Sequence, residues 1–260
     1  MKNLRIYGNK PFTIVVVHGG PGTPGEMAPI ARELSTILGV IEPLQTKDSL
    51  IGQANELKEV LETNADLPVT LIGHSWGAML SFILTGKFPN LVKKLILIGS
   101  GVYQEEYAEK IMKTRIERLS IEEKEEFFSI INSIDNSNNL NKNRLFSRIG
   151  ELITKADSYD PITLDLEVLE IQYEINQKVW NDAKKLRISG ELLELGKNIN
   201  IPVVAIHGDY DPHPIEGIKE PLSRVLKNFK IHLLDKCGHT PWIERERRDK
   251  FFKILKEELK

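Results

Sequence analysis

The sequence predicts an α/β protein built on one mostly parallel sheet, with an all-helical segment inserted into it. Three observations predict this. Short Val/Ile/Leu runs alternate with amphipathic stretches through roughly the first hundred residues, strand-like runs vanish between about Tyr103 and Leu195, and the alternation then resumes. Continuous apolar runs are what strands covered on both faces of a parallel sheet require.

The elements follow in order. Thr13 to Val17 is a β-branched run ending in a glycine-rich loop, and Val40 to Leu44 is a second short strand. Leu50, Ala54, Leu57 and Leu61 are spaced as one face of a helix. Val69 to Ile72 reads as a buried strand, Ala78 to Phe88 as a helix and Leu95 to Ile98 as a strand. Four amphipathic stretches follow: Tyr107 to Leu119, Ile121 to Ile134, Leu145 to Ala156 and Leu164 to Trp180. The Asn-rich segment Asn136 to Asn143 between them reads as a mobile loop. The sheet pattern returns with a strand at Pro202 to Ile206, a helix at Gly217 to Leu226, a strand at Ile231 to Leu234 and a closing helix at Ile243 to Leu259. The expected division is a core of residues 1–101 and 196–260, interrupted by a helical insertion of residues 102–195.

Composition narrows the function. The 260 residues are 41% hydrophobic and 28% charged, enough to bury a core without metals or disulfides. A net charge of −2 gives no steering toward nucleic acid, and the run Arg245 to Arg248 reads as a solvated helix face. The one cysteine, Cys237, excludes an internal disulfide. No apolar run is long enough to cross a bilayer and no cleavable leader is evident, so a cytoplasmic protein is expected, monomeric or a small homo-oligomer.

Four loops carry the chemistry. Gly73-His74-Ser75-Trp76-Gly77 fits Gly-x-Ser-x-Gly between a strand and a helix, the setting of a nucleophile elbow. Ser75 is the expected nucleophile. His18-Gly19-Gly20-Pro21-Gly22 follows the first long strand, where an acyl-transfer enzyme needs backbone N–H donors aimed at an oxyanion. Gly20 and Trp76 are the expected donors, with Gly19 competing for the first role. Gly208-Asp209-Tyr210-Asp211-Pro212 and Cys237-Gly238-His239-Thr240 follow the last two strands. His239 is the expected base and Asp211 the acid that orients it, with Asp209 as the rival acid and turn-former. His213, two residues past Asp211, is a pocket candidate, whereas His207 and His232 read as structural. No His/carboxylate set has metal-ligand spacing, so neither a metal nor a cofactor is expected.

Together these residues resemble the α/β-hydrolase superfamily across nearly the whole chain. The His-Gly-Gly-Pro-Gly loop and the Gly-x-Ser-Trp-Gly elbow are similar to those of its proline iminopeptidase branch. The resemblance implies that the insertion is a helical cap and that Trp76 lies beside an acyl pocket. The segment before Thr13 has room for one strand, so the superfamily's first hairpin is expected to be trimmed. One departure matters: proline iminopeptidases carry a glutamate directly after the triad aspartate, and here that position is Pro212. Their cap supplies a second carboxylate, for which Asp182, Glu191 and Glu194 are the candidates. A protonated amine desolvated without such anions costs several kcal/mol, which argues against aminopeptidase activity. A serine nucleophile sets the chain apart from haloalkane dehalogenases and epoxide hydrolases, which use aspartate there. The expected substrate is a small ester, thioester, amide, lactone or activated C–C bond, with Gly19, Tyr103, Trp180, His213 and Trp242 as pocket candidates. Two other readings stand beside it: a ligand receptor of the same fold that signals through its cap, and an acyltransferase.

Overall fold

The computed structural model describes residues 3–136, 138–164 and 166–260. The β-branched run Phe12–Val17 forms β2, preceded by β1 (Leu4–Tyr7) and followed by α1 (Ala28–Leu34), β3 (Gly39–Pro43) and α2 (Leu50–Asn64). Ser49 caps α2 by accepting a hydrogen bond from the Gly52 N–H at 3.1 Å. Then come β4 (Val69–His74), α3 (Trp76–Lys87) and β5 (Val92–Ile98). The helices α4 (Glu105–Arg118), α5 (Ile121–Ile134), α6 (Asn139–Asp157), α7 (Tyr173–Ile188) and α8 (Glu191–Glu194) separate β5 from β6 (Val203–Gly208). The chain closes with α9 (Glu216–Val225), β7 (Phe229–Leu234) and α10 (Arg248–Glu258).

The seven strands form one sheet in the order β1-β3-β2-β4-β5-β6-β7. Only β1 is antiparallel, pairing Leu4 with Pro43 and Tyr7 with Val40 on β3. From β2 the chain goes outward to β3 and then back across to β4, so β2 and β4 flank the point where winding reverses. Loops beyond the carboxyl ends of strands at such a point form the crevice in which open α/β sheets bind ligands. One sheet face is covered by α2, α3 and α9 around Leu57, Leu80, Phe82 and Leu222. The other is covered by α1 and α10 around Ile30, Leu34, Phe251 and Leu255. Because α3 lies between the sheet and neighbouring elements, every residue from Trp76 to Gly86 is buried and the helix is apolar on all sides. A third, smaller core sits wholly within α4 to α7, around Phe127, Ile130, Ile149, Leu152 and Tyr173.

Three expectations need correction. The fourth helix of the insertion is α7, starting at Tyr173, not a helix from Leu164. The segment before it is extended, because Leu169 N–H bonds Pro24 O at 2.8 Å and Gln172 N–H bonds Gly22 O at 2.8 Å. The Asn-rich stretch is largely the first turns of α6, with Asn138 as the cap that accepts from the Asn141 N–H at 3.0 Å; Ser137 lies outside the described residues. The closing helix begins at Arg248, because the preceding Glu244 is 1% exposed and accepts bonds from the Tyr159, Asp160 and Gly238 N–H groups.

One buried carboxylate makes the fold pH-sensitive. The Glu42 side chain is fully buried under the sheet edge; Tyr7 donates to its Oε2 at 2.8 Å, while Oε1 has no partner among the described residues. Burial pushes its carboxyl up to about 7 from the usual 4.5, with Tyr7 and Arg5 offsetting only part of the effect. The unfolded chain releases this proton near 4.5 and the folded chain holds it to about 7, so stability falls as pH rises across that window. The loss amounts to about 3 kcal/mol. Glu42→Gln, neutral at all pH, should raise Tm by several degrees at pH 8 and leave it near wild type at pH 4.5, read by thermal scans at both values.

Candidate active site

The turn from β4 into α3 places Ser75 at φ 51°, ψ −114°, a left-handed backbone that a residue with a Cβ adopts only under strain. The flanking glycines are sterically required. A Cβ on Gly73 would lie 2.2 Å from Gly77 O, and one on Gly77 would lie 2.2 Å from Val17 O. The strand, the helix and the end of β2 cross too closely for any other residue. The turn is clamped by Ser75 N–H bonding Ile98 O at 2.9 Å, while Ser75 O accepts from Ala78 N–H at 3.1 Å.

The loop after β6 brings Asp211 to the loop after β7. Asp211 is buried and takes two imidazoles at once. Its Oδ2 accepts from His239 Nδ1–H at 2.7 Å. Its Oδ1 accepts from both the backbone N–H of His213 at 2.9 Å and His213 Nδ1–H at 2.7 Å. The two rings stack with centroids 4.6 Å apart. Burial raises the Asp211 carboxyl, but the three surrounding imidazoles outweigh it and hold the group well below the usual 3.8. The two histidines respond oppositely. Burial lowers His213 to about 4 despite Asp211. Burial also pulls His239 down, yet the charge and hydrogen bond of Asp211 outweigh it and hold His239 above 6.5. Asp209 is exposed and accepts instead from the Cys237 N–H at 3.3 Å, a turn-forming contact. The Cys237 thiol is buried, which pushes it far above its usual range and leaves it inert. Sequence spacing showed no ligand set, but folding brings donor atoms of Asp211, His213 and His239 within 4.8 Å of one another. Both Nδ1 atoms of that cluster are committed to the Asp211 carboxylate.

The loop after β2 is organised by two residues. His18 is buried; its Nε2 accepts from Gln45 N–H at 3.3 Å, so its Nδ1–H donates to Gly19 O at 2.8 Å. Glu26 accepts from the Gly19 N–H at 3.0 Å and also contacts His74 Nδ1. His74 Nε2 faces the His239 carbonyl at 3.1 Å. A partly buried Glu26–His74 pair thus ties together the glycine loop, the elbow and the His239 loop. Burial raises the Glu26 carboxyl, but His74 outweighs it and keeps the group below 4.5. The Gly19 N–H is spent on Glu26, whereas Gly20, at a left-handed φ of 52°, lines the cavity beside Ser75.

Ser75, Gly20, His213 and His239 line a cavity of about 490 Å³, roofed by α4, α6 and α7. Trp180 lines it as well and packs edge-on against Trp76 at 5.5 Å. Trp76 itself is fully buried, its indole donating to Gln53 Oε1 at 2.9 Å. Three expected pocket residues lie elsewhere. Tyr103 is fully buried against Phe82, Trp242 is fully buried edge-on to His74 at 4.6 Å, and Gly19 sits behind Glu26. The first two fill core gaps behind the loops, where an aromatic ring contributes most by being covered on all sides. None of the proposed cap carboxylates reaches the cavity. Asp182 accepts from the Leu50 N–H at 3.3 Å, Glu191 is exposed, and Glu194 pairs with Lys197 on the surface.

Sequence reasoning missed Glu26, Asp157, Asn176, Glu244 and two arginines. Asp157 O accepts from the His239 N–H at 2.9 Å, and Asn176 Nδ2–H donates to Pro21 O at 3.0 Å, so the helical segment grips two of the four loops. Nothing in the run Glu244 to Arg248 distinguishes the buried glutamate from its exposed neighbours. An acidic residue spaced seven positions beyond the Gly19 it bonds was the available signal for Glu26.

A family model described as the alpha/beta hydrolase fold matches residues 43–246. The chain belongs to that family. No curated protein matches it in sequence. Solved structures share its fold at low identity. One is E-2-(acetamidomethylene)succinate hydrolase, with TM-score 0.64, 17% identity, and 98% of this chain and 93% of that one covered. Another is a monoacylglycerol lipase from Paleococcus ferrophilus, with TM-score 0.63, 14% identity, and 98% and 97% covered. A third is MenH from S. aureus, with TM-score 0.60, 17% identity and both chains covered in full. Among the described residues, no helix of this α/β hydrolase is long and apolar enough to cross a membrane.

Proposed function

We propose that this α/β hydrolase is a serine hydrolase in which Ser75 is the nucleophile, His239 the general base and Asp211 its orienting acid. The observation that carries this reading is the buried 2.7 Å bond from His239 Nδ1–H to an ionised Asp211, in a cavity that Ser75 shares. With Nδ1 carrying its proton, the lone pair on His239 Nε2 is free to accept one. Ser75 Oγ attacks the carbonyl carbon of a small ester or amide, and its proton passes to Nε2. The tetrahedral oxyanion is met by the N–H groups of Gly20 and Trp76. Trp76 is the first residue of α3, so its N–H has no carbonyl one turn back, and the helix end favours negative charge. Collapse expels the leaving group, which takes the proton from Nε2. Water then repeats the sequence on the acyl-enzyme and restores Ser75.

The segment α4 to α8 acts as a cap, and its contacts with the His18 and His239 loops couple its position to the site. An aminopeptidase-like activity is disfavoured. The carboxylate nearest the glycine loop, Glu26, is engaged by His74, and Pro212 occupies the amine-binding position. Labelling with a fluorophosphonate, read by intact mass and peptide mapping, should give one adduct on Ser75 that is lost in Ser75→Ala and His239→Ala. Folded protein that takes no label would overturn the assignment and favour a ligand receptor.

A further inference from the structure

The cavity holds one cation whose charge is not consumed inside it. Four charged side chains and the imidazoles of His74, His213 and His239 line the space, the last two paired with Asp211. Glu26 is matched to His74, and Arg115 is matched to Asp157 in a two-pronged pair at 2.8 and 2.7 Å. That leaves Arg187. Its Nε–H donates to Glu105 at 2.7 Å; Arg187 stands between this cavity and the neighbouring outer pocket and lines both, whereas Glu105 lines only the outer one. Neither Nη1 nor Nη2 of Arg187 has an acceptor among the described residues, although the side chain is only 12% exposed. Its two terminal nitrogens, free of protein acceptors, can present two parallel N–H groups to a planar carboxylate, the geometry a guanidinium binds best.

Helix α7 sets the reach. Asn176, Trp180, Ala183 and Arg187 fall on one face, with Asn176 on the glycine loop and Trp180 packed against Trp76 beside Ser75. Arg187 is seven residues past Trp180, about 10 Å along the helix axis. Met79, Val102, Ile111 and Met112 supply apolar lining to the same cavity. Resting on the serine hydrolase reading above, we propose that the substrate is an ester or amide carrying a carboxylate on the order of 10 Å from the scissile carbonyl, and that Arg187 recognises it.

The carboxylate could be carried by the acyl chain or by the leaving group, and paired substrates separate the two. One arm compares mono-p-nitrophenyl esters of the dicarboxylic acids from succinic to suberic with neutral acyl esters of equal length. The other compares 4-butyryloxybenzoate with phenyl butyrate. The expected result is a preference of at least about tenfold in kcat/KM for the anionic member of one arm. In the acyl arm it should grow from succinate toward the longer chains. Arg187→Gln should bring that ratio toward one, Arg187→Lys should keep part of it, and Glu105→Gln, which removes the charge paired with Arg187, should keep or raise it. Protection of Ser75 from fluorophosphonate by the free dicarboxylates, against the matching monocarboxylates, reads the same recognition without turnover. Label without carboxylate preference in either arm or in protection, or a preference that survives Arg187→Gln, overturns the proposal. Absence of any Ser75 label overturns the serine hydrolase reading instead.

Discussion

Ser75→Ala is expected to lower kcat/KM by about 10⁴-fold or more while leaving Tm unchanged. In the proposed mechanism the hydroxyl is the group that becomes covalently bonded, so no neighbour substitutes for it, and only binding and the proposed oxyanion donors remain. The fold should not notice, because the elbow is held by backbone bonds to Ile98 and from Ala78 that alanine retains. Alanine also keeps the strain, since the cost at φ 51° comes from the Cβ. Ser75→Gly removes both. Strain of this kind amounts to about 1–3 kcal/mol, offset by about 0.4–1 kcal/mol of extra freedom in the unfolded chain. Ser75→Gly should therefore be equally inactive but melt a few degrees higher than either the wild type or Ser75→Ala. Thermal scans of the three proteins beside their ester turnover test this, and equal melting of all three would mean that the strain stored in the elbow is no larger than the freedom glycine adds to the unfolded chain, about 0.4–1 kcal/mol.

The same elbow shows what a sequence can and cannot disclose. Gly-x-Ser-x-Gly is legible because each residue answers to a local constraint: two glycines where backbones cross, a serine where the chain turns. The parallel sheet is legible because burial on both faces leaves no polar alternation to obscure its strands. Segment 166–172 is different. Its leucines suit a helix, and it is extended only because carbonyls of the glycine loop, more than a hundred residues earlier, claim its N–H groups. Tyr103 and Trp242 are aromatic residues beside catalytic-type loops, and nothing local tells a ring that lines a cavity from one that fills the core behind it. Glu26, Glu244 and Arg187 are the extreme case. Their roles depend on partners from distant parts of the chain, so an ordinary charged residue in the sequence becomes an anchor between loops, or a cation with donors to spare beside a cavity, only after folding.

Asp211→Asn should cost about as much as losing the nucleophile, roughly 10⁴-fold in kcat, for a reason specific to this site. An asparagine offers one oxygen where Asp211 has two. The backbone N–H of His213 sits at Oδ1 and cannot change its role, so the amide oxygen is held on that side. The amide NH₂ then faces His239 Nδ1, which must accept instead of donate. His239 is forced to carry its proton on Nε2, where Ser75 needs a lone pair. The pH behaviour follows from the same charge. Asp211 holds His239 above 6.5, so wild-type activity should rise along a single limb whose midpoint lies above that value as His239 deprotonates. Stability moves the other way. His239, with its raised pKa, contributes stability that is complete below 6.5 and lost as pH rises through the folded value. Asp211, with its depressed pKa, contributes stability present above 3.8 and lost as pH falls through the folded value. Both contributions coexist between about 4 and 6.5, so the Tm gap between wild type and Asp211→Asn should be widest there and narrow on the alkaline side. A gap that is constant from pH 4 to 9 would mean that the pair is held by shape and hydrogen bonding alone, and that the charge of Asp211 does not set the protonation of His239.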